Sequence, residues 1–433
     1  MTDTAVLAHG LGGSSDLPIP YTYALIGAAW ALTLTFAVVA IAWRTPRFDP
    51  AKPGSALPVW VTRVVDARAF RAAAAALASA FAVWVVVVAV VGPQDDENAL
   101  PGVFYVLLWV GLVAVSVVVG PVWRLISPLR TLLRALPDRW SAGARLYPEE
   151  WGYRPAALGL FAFVWLELAS PDPGSLTAIK VWLLAYVVLM LAGAATWGPR
   201  WFARADPFEV YSMTASRLAP FRRRDDGRIV LGNPFDHLPT LPVRPGTVTV
   251  LAVLLGSTAF DSFSAMPGWR GFVDDLSGGQ VGATVIRTLG LMVFIATVGL
   301  SFWLAARATG GVDAARRRLL PGQLAHSLIP IVIGYIFAHY LSYLVERGQQ
   351  TLIRLVQPLG WEWEVSYLLS QHPSVLATIK VVCVVFGHMA GVVAAHDAAL
   401  RLLPERHRLT GQLAMMLVMV FYTFTGLYLL FGG

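Results

Sequence analysis

Long apolar stretches recur along the 433-residue chain and limit what it can fold into. In lipid, every backbone N–H and C=O group must be bonded within the protein, which leaves α-helices and closed β-barrels. The stretches lack the two-residue alternation of barrel strands, and an apolar run of about 20 residues spans the bilayer core as a helix. Only 14% of the residues are charged, against about 25% in soluble domains. We therefore predict an all-α integral membrane protein with the lipid bilayer as its partner.

The apolar stretches predict ten transmembrane helices. The fourth and the sixth carry an acidic residue each, Glu167 and Asp261. The first twenty residues lack the basic start and the cleavage site of a signal peptide, so we expect the first helix to direct insertion. The ten predicted spans cover residues 22–43, 70–92, 101–123, 154–170, 175–197, 246–267, 281–306, 322–345, 374–397 and 411–431.

Basic residues predict the orientation of these helices. The loops that follow spans one, three, five, seven and nine, with their immediate flanks, hold 27 of the 33 Lys and Arg residues. Cytoplasmic loops are enriched in Lys and Arg. We therefore predict a plasma-membrane protein with both termini outside the cytoplasm. The same loops account for the net charge of +7, so the charge does not indicate nucleic-acid binding.

Two segments 200 residues apart resemble each other. Residues 170–181 and 370–381 are identical at six of twelve positions, including Lys180 and Lys380. Parallel repeats of this kind occur in transporters, so the similarity predicts two four-helix units, spans two to five and six to nine; chance similarity is the alternative. The predicted organisation is an external segment 1–21, a first helix and loop 22–69, a first unit 70–197, a basic loop 198–245, a second unit 246–397 and a last loop and helix 398–433.

Two cytoplasmic segments have an amphipathic pattern with several arginines. Residues 125–136 and 207–221 are typical of helices that lie on the membrane surface, with their arginines facing anionic headgroups. Between the second segment and the sixth span, Asp226-Gly227 predicts a tight turn.

Ionisable residues inside the membrane are costly unless they are paired, so each is a functional candidate. They concentrate in the second half of the chain. The helical rise of about 1.5 Å per residue places Asp261 and His339 at similar depths in the outer half of the membrane, with His388 below them. Arg287 and Lys380 also fall in the outer half. We call these five residues the outer cluster.

The outer cluster has two interpretations. Asp261, His339 and His388 are residue types that bind zinc, and zinc with an open position activates water for hydrolysis. In that case Ser257 and Tyr343 would support the ligands, and Lys380 and Arg287 would stabilise the developing anion. Alternatively, these groups pair with each other and with backbone carbonyls and hold helices together. No His-x-x-x-His pattern supports the metal site independently.

A second group lies near the inner surface. His326 and His396 come out at the same level on neighbouring helices, a position from which two histidines ligate a b-type haem. The alternative is that His396 and Asp397 form an interfacial pair before the basic loop. His9 lies in the external Gly-rich segment, which we expect either to cover the outer cluster as a lid or to be a disordered terminus. With Cys383 as the only cysteine, no disulfide within the chain and no Cys-rich metal site is expected.

The segments His9-Gly10-Leu11-Gly12-Gly13, Asp16-Leu17-Pro18-Ile19-Pro20 and Asp206-Pro207-Phe208-Glu209-Val210-Tyr211 resemble those of actinobacterial polytopic membrane proteins labelled fenitrothion hydrolase. The resemblance extends over most of the chain, and it implies hydrolysis of organophosphate esters at a membrane. It carries no catalytic signature, so it assigns no site residue.

Three functions remain open from the sequence. The first is metal-dependent hydrolysis of a small-molecule ester by the outer cluster. The second is transport of a solute or a metal ion, favoured by the parallel repeat and the polar groups inside the membrane. The third is electron transfer by a b-type haem on the inner histidines.

Overall fold

The computed structural model describes residues 17–135, 145–309, 311–361 and 363–431, and this part of the chain is almost entirely helical, which confirms the predicted fold class. The helices of the first half are α1 Tyr21–Ala42, α2 Val59–Asp66, α3 Arg68–Val91, α4 Leu100–Gly102, α5 Leu112–Val119, α6 Trp123–Ile126, α7 Pro128–Ala135, α8 Arg154–Leu168, α9 Leu176–Trp197 and α10 Arg200–Ala205. Those of the second half are α11 Pro207–Ala215, α12 Pro234–His237, α13 Thr247–Ser264, α14 Pro267–Ser277, α15 Gln280–Arg307, α16 Ala314–Leu324, α17 Ile329–Ser342, α18 Gly348–Val356, α19 Pro373–Leu402 and α20 Leu413–Phe431.

Within the described ranges, nine helices are long and apolar enough to cross a membrane. Two of them contain a π-helical turn: Val103–Gly111 joins α4 to α5, and Tyr343–Arg347 joins α17 to α18. The nine are Tyr21–Ala42, Arg68–Val91, Leu100–Val119, Leu176–Trp197, Thr247–Ser264, Gln280–Arg307, Ala314–Leu359, Pro373–Leu402 and Thr410–Phe431.

The predicted fourth span is α8, whose 15 residues are fewer than a free-standing span needs. It nevertheless connects the two ends of the bundle. The backbone N–H of Tyr153, just before α8, donates to Pro245 O beside the start of α13 at 2.7 Å. The segment after α8 reaches the opposite end, where the hydroxyl of Tyr105 donates to Pro173 O at 3.0 Å. With α8 added to the nine long helices, the described ranges contain ten passages between the two ends.

The five Arg-rich loops lie together at one end of the bundle. Arg130, after the third span, bonds Glu209, after the fifth, with Nη2 and Oε1 2.8 Å apart. The ring of His407, after the ninth span, lies against Gly311, after the seventh. A small sheet joins the loops after the first and fifth spans: β1 Ser55–Ala56 and β2 Phe221–Arg223 both pair antiparallel with β3 Ile229–Leu231. The tight turn predicted at Asp226-Gly227 is confirmed as the β2–β3 hairpin.

The centre of the bundle is formed by α13 and α17, whose residues are mostly buried. α17 packs closely along α19, and glycines set the distance between these two helices. A Cβ atom added at Gly387 would lie 2.7 Å from Pro330 O, and one added at Gly334 would lie 2.5 Å from Cys383 O. Backbone therefore packs directly on backbone here, as at the small-residue interfaces of membrane helices.

The prediction of a membrane-surface helix over residues 207–221 is wrong. Eight of the nine residues of α11 are buried, including Phe208 and Tyr211, and the helix packs against α5 and α8. α11 is buried because its apolar side chains pack in the bundle and because the buried Glu209 forms an ion pair with the buried Arg130. An arginine that looks headgroup-facing in the sequence is thus an internal ion-pair partner.

The two similar segments both lead into a long helix, α9 and α19, but their lysines differ in environment. Lys180 donates to Oε1 of Gln94 at 2.7 Å in an exposed position. Lys380 is 1% exposed, so its side chain does not extend to the membrane surface. The two-unit organisation stays a prediction.

Candidate functional site

Three buried side chains form a hydrogen-bonded array between α13 and α17. The Nε2 atom of His339 lies 2.9 Å from Oδ2 of Asp261, and Nδ1 of the same ring lies 3.1 Å from Oγ of Ser262. The exposed fractions of Asp261, His339 and Ser262 are 6%, 2% and 4%. The imidazole therefore bridges a carboxylate and a hydroxyl inside the bundle. We call these three residues the Asp–His–Ser array.

Two tyrosines extend the array on either side. The hydroxyl of Tyr340 donates to Oδ2 of Asp261 at 2.7 Å. The hydroxyl of Tyr335 lies 3.1 Å from Oγ of Ser262 and donates to Gly426 O on α20 at 3.4 Å. Asp261 thus accepts two hydrogen bonds, and Ser262 is placed between a histidine and a tyrosine.

Helix geometry brings these groups together. Tyr335 and His339 are four residues apart on α17, so they lie one above the other on one face. Asp261 and Ser262 are consecutive on α13, about 100° apart, and His339 fits between them. The hydroxyl of Ser262 also donates to Thr258 O, four residues earlier, at 3.3 Å. A hydroxyl has one proton, so Ser262 donates either to this carbonyl or to Nδ1 of His339, which is the nearer of the two acceptors.

A second carboxyl group lies close to the array. Glu167, at the end of α8, is buried and within electrostatic range of both Asp261 and Tyr343. Tyr343, one of the predicted site residues, is buried with its ring 6.5 Å from that of Tyr340. Two carboxyl groups and several tyrosines therefore share one buried region inside the bundle.

His388 on α19 lies apart from the array and faces a cavity. Its Nδ1 donates to Val384 O at 2.8 Å, and the side chain is 1% exposed. The cavity has a volume of about 210 Å³ and lies between α13, α15, α17, α19 and α20. Tyr335 lines the same cavity, so the hydroxyl that bonds Ser262 belongs to a residue of its wall.

The other residues predicted for the outer cluster are spread around this region. Ser257 is buried, but its hydroxyl bonds Leu254 O at 3.3 Å, one turn away from the array. Arg287 is half-buried on α15 and is not a member of the array. Lys380 is buried on α19. His9 lies outside the described residues.

The inner residues form a junction with the loop after α1. His396 places Nδ1 2.9 Å from Oε1 of Gln412 and Nε2 2.9 Å from Trp43 O. Asp397 accepts from the backbone N–H of Phe48 at 3.2 Å and from Arg401. These contacts fasten the first loop to α19. Both ring nitrogens of His396 have oxygen partners, which does not favour haem ligation.

His326 is buried near this junction, with Nδ1 2.9 Å from Gln323 O. Haem binding by His326 and His396 stays a prediction, which the visible spectrum of the purified protein tests directly, because bound haem would give a Soret band.

No group of three or more His, Cys, Asp or Glu side chains that could hold a metal ion occurs in the described part of the chain. Asp261 and His339 adjoin, but each is already bonded to the other, and Nδ1 of His388 is taken by a carbonyl. The zinc site on Asp261, His339 and His388 stays a prediction.

Sequence reasoning missed Ser262, Tyr335 and Tyr340 as site residues. Asp261 and His339 were found from their depth, but Ser257 was chosen as the hydroxyl because it shares a face with Asp261. The available signal was the adjacency of Asp261 and Ser262, since a ring that approaches α13 between two consecutive residues contacts both.

Comparison of the chain with protein-family models, with curated proteins and with solved structures gives no match.

Proposed function

We propose that this multi-pass membrane protein is an ester hydrolase in which Ser262 is the nucleophile. The observation that carries the proposal is the Asp–His–Ser array, with His339 bonded to Asp261 through Nε2 and to Ser262 through Nδ1. A nucleophile bonded to a base that a third group orients is the arrangement that activates a hydroxyl. The same logic recurs on unrelated folds.

The array assigns a role to each member. With Nε2–H donating to Asp261, Nδ1 is left as the acceptor for the Ser262 proton. As Oγ bonds to the ester carbon or phosphorus, Nδ1 takes that proton and Asp261 stabilises the imidazolium. His339 then gives the proton to the leaving alcohol, and water releases the covalent intermediate by the reverse sequence. The Tyr335 hydroxyl lies 3.1 Å from Oγ, and by rotating away from Gly426 O it would donate its proton to the developing oxyanion.

The substrate we propose is a small apolar ester, and organophosphate esters such as fenitrothion are the first to test. The resemblance in the segments around His9 and Asp206 suggests this choice, together with the location of the array inside a bundle of membrane-spanning helices. A substrate of this kind partitions into the bilayer and can approach the bundle laterally.

A fluorophosphonate reporter tests the nucleophile directly, because it phosphorylates an activated serine. In purified protein we expect labelling at Ser262, lost in Ser262→Ala and reduced at least about a hundredfold in His339→Ala. Ser257→Ala is the matched control, since it removes a buried hydroxyl from the same helix outside the array. Wild-type protein that takes no label, or equal labelling in Ser262→Ala, would reject the proposal.

A second candidate is proton-coupled transport, and one observation favours it. The hydrogen-bonded chain runs from Asp261 through His339 and Ser262 to Tyr335, whose side chain lines a cavity within the bundle. Ionisable groups inside membranes often serve as proton relays. Proteoliposomes that contain the pH dye pyranine distinguish this candidate from hydrolysis: proton entry lost in Asp261→Asn and Tyr335→Phe, without fluorophosphonate labelling, would favour transport.

Metal-dependent hydrolysis is a separate proposal with its own test. Asp261 and His339 would supply two ligands and His388 a third after rearrangement, and the metal would activate a water molecule. Metal analysis of the purified wild type, His339→Ala and Asp261→Ala decides it. Full metal content in both variants, or none in the wild type, would reject the metal site and leave the serine mechanism.

For the location of the protein we propose the plasma membrane, with the five Arg-rich loops in the cytoplasm and both termini outside. The clustering of these loops at one end of the bundle supports a common side, and the enrichment of Arg in cytoplasmic loops supports which side it is.

A further inference from the structure

The cavity beside Tyr335 is almost wholly apolar, and among the described residues of its wall one buried polar atom has no hydrogen-bond partner. Its walls come from five helices and include Ala259, Val293, Thr297, His388 and Phe421. The volume of about 210 Å³ exceeds that of engineered apolar cavities of about 150 Å³ that stay dry and bind benzene. The cavity is therefore large enough for a small organic molecule.

The chemistry of His388 defines what the cavity recognises. Because Nδ1–H donates to Val384 O, the neutral ring keeps a lone pair on Nε2. Nε2 is buried and has no hydrogen-bond partner in the described structure. Burying an acceptor without a partner is unfavourable, and a ligand with a donor group would remove that cost.

The two tyrosine hydroxyls of the wall are already bonded. The Tyr335 hydroxyl bonds Ser262 and Gly426 O, and the Tyr422 hydroxyl donates to Val298 O at 2.7 Å. A water molecule in a buried site needs two to four polar partners, whereas this wall is mostly apolar and Nε2 of His388 is its one buried acceptor without a partner in the part of the chain that the structure describes. The fitting occupant is an apolar molecule with one donor.

We propose that this cavity binds a small apolar alcohol or phenol, whose hydroxyl donates to Nε2 of His388. The molecule enters from the membrane, because Val293 on α15 and Phe421 on α20 line the cavity and are also exposed on the outer surface of the bundle. Binding here does not require Ser262 to react, so it is independent of the hydrolysis proposed above.

Photolabelling of the full-length protein in nanodiscs tests the site. The probe is an octanol that carries a diazirine, and labelled peptides are mapped by mass spectrometry. We expect labelling at the cavity walls, competed by para-ethylphenol but not by para-ethylanisole, which has the same shape without the donor. His388→Leu should weaken competition by para-ethylphenol roughly threefold to tenfold, the effect of one neutral hydrogen bond.

Two further variants separate the outcomes. Ala259→Phe fills the cavity and should abolish the mapped labelling, while Ser262→Ala should keep it even though the serine is gone. Melting curves confirm that each variant is folded. Three results would each contradict the proposed site. One is labelling spread over all membrane-facing helices, because lipid would then occupy the cavity. The others are equal competition by the two aromatic compounds, and unchanged competition by para-ethylphenol in folded His388→Leu.

Discussion

Among single residues, Asp261 depends most on its neighbours. It is buried and accepts hydrogen bonds from Tyr340 and interacts with His339. A hydrogen bond to a charged group contributes about 1.5–3 kcal/mol, and His339→Ala removes one from the buried Asp261 carboxylate. We therefore expect His339→Ala to lower the free energy of unfolding by about that amount, measured by denaturant titration in detergent.

Ser257→Ala is the control for His339→Ala, since it removes a buried hydroxyl that bonds only a backbone carbonyl among the described contacts. It should cost about 1 kcal/mol. Equal losses in the two variants would mean that the Asp261–His339 contact contributes nothing beyond packing.

His237, in the Arg-rich loop after the fifth span, predicts a pH dependence of stability. Burial and the positive charges of Arg217 and Arg222 lower the pKa of its ring to about 4, and Nη1 of Arg217 lies 3.1 Å from Nε2. The unfolded ring, with a pKa of about 6.5, binds a proton first. Stability is therefore full above pH 6.5 and falls as the pH drops toward 4. After allowance for solvent screening, the loss is about 1–2 kcal/mol.

The measurement is the melting temperature of the detergent-solubilised protein between pH 7 and pH 4.5. His237→Gln keeps an acceptor for Arg217 but does not titrate, so the difference in melting temperature between wild type and variant should grow as the pH falls. Parallel curves for the two proteins would show that His237 is not the titrating group.

At the residue scale the sequence predicts depth well and contacts less well. The rise along each helix placed Asp261 and His339 at one level, and the structure bonds them. The sequence does not show which face of α13 turns toward α17, because that depends on the packing of α13 against α8 and α15 and of α17 against α19. For the same reason His388 was grouped with residues from which it is separated.

At the scale of elements, the contact of α17 with α19 is governed by glycine. Gly387→Ala places a methyl group 2.7 Å from Pro330 O, and backbone cannot move aside as a side chain can. Overpacking of this kind costs about 1–3 kcal/mol. Since α17 carries His339 and α19 carries His388, we also expect weaker fluorophosphonate labelling in Gly387→Ala.

Gly27→Ala is the matched control for Gly387→Ala. Gly27 lies in α1, and a Cβ atom there would have no neighbour within 4 Å. Alanine favours a helix over glycine by about 1 kcal/mol, so this variant should be neutral or stabilised. If the Gly387→Ala and Gly27→Ala proteins had the same melting temperature, this result would contradict the close contact between α17 and α19.

The wrong surface-helix prediction at α11 also concerns a contact between elements, the ion pair of Glu209 on α11 with Arg130 on α7. Arginines spaced along residues 125–136 look like a headgroup-facing surface, and the sequence does not show that Arg130 has an acidic partner about eighty positions later. Where both partners are local, as in the Asp226-Gly227 hairpin, the sequence was sufficient.

For the whole molecule, the loop charges were the most informative pattern, because each crossing reverses the side of the next loop. A missed crossing would have placed an Arg-rich loop at the wrong end. In the structure all five Arg-rich loops lie at one end of the bundle. The short α8 is also a crossing, because hydrogen bonds to neighbouring segments hold its two ends at opposite ends of the bundle. Hydropathy alone would have discarded a helix of 15 residues.

The last prediction concerns which end faces the cytoplasm. Cys383 is the only cysteine, so Cys383→Ser gives a background in which single cysteines report sidedness. In intact cells, a membrane-impermeant maleimide should label Asp96→Cys, in the exposed acidic loop after α3, and spare Asp225→Cys, in the exposed β2–β3 turn. After lysis both should react. Because the two positions lie at opposite ends of the bundle, the reverse pattern would mean an inverted protein, and labelling of both in intact cells would contradict the ten crossings.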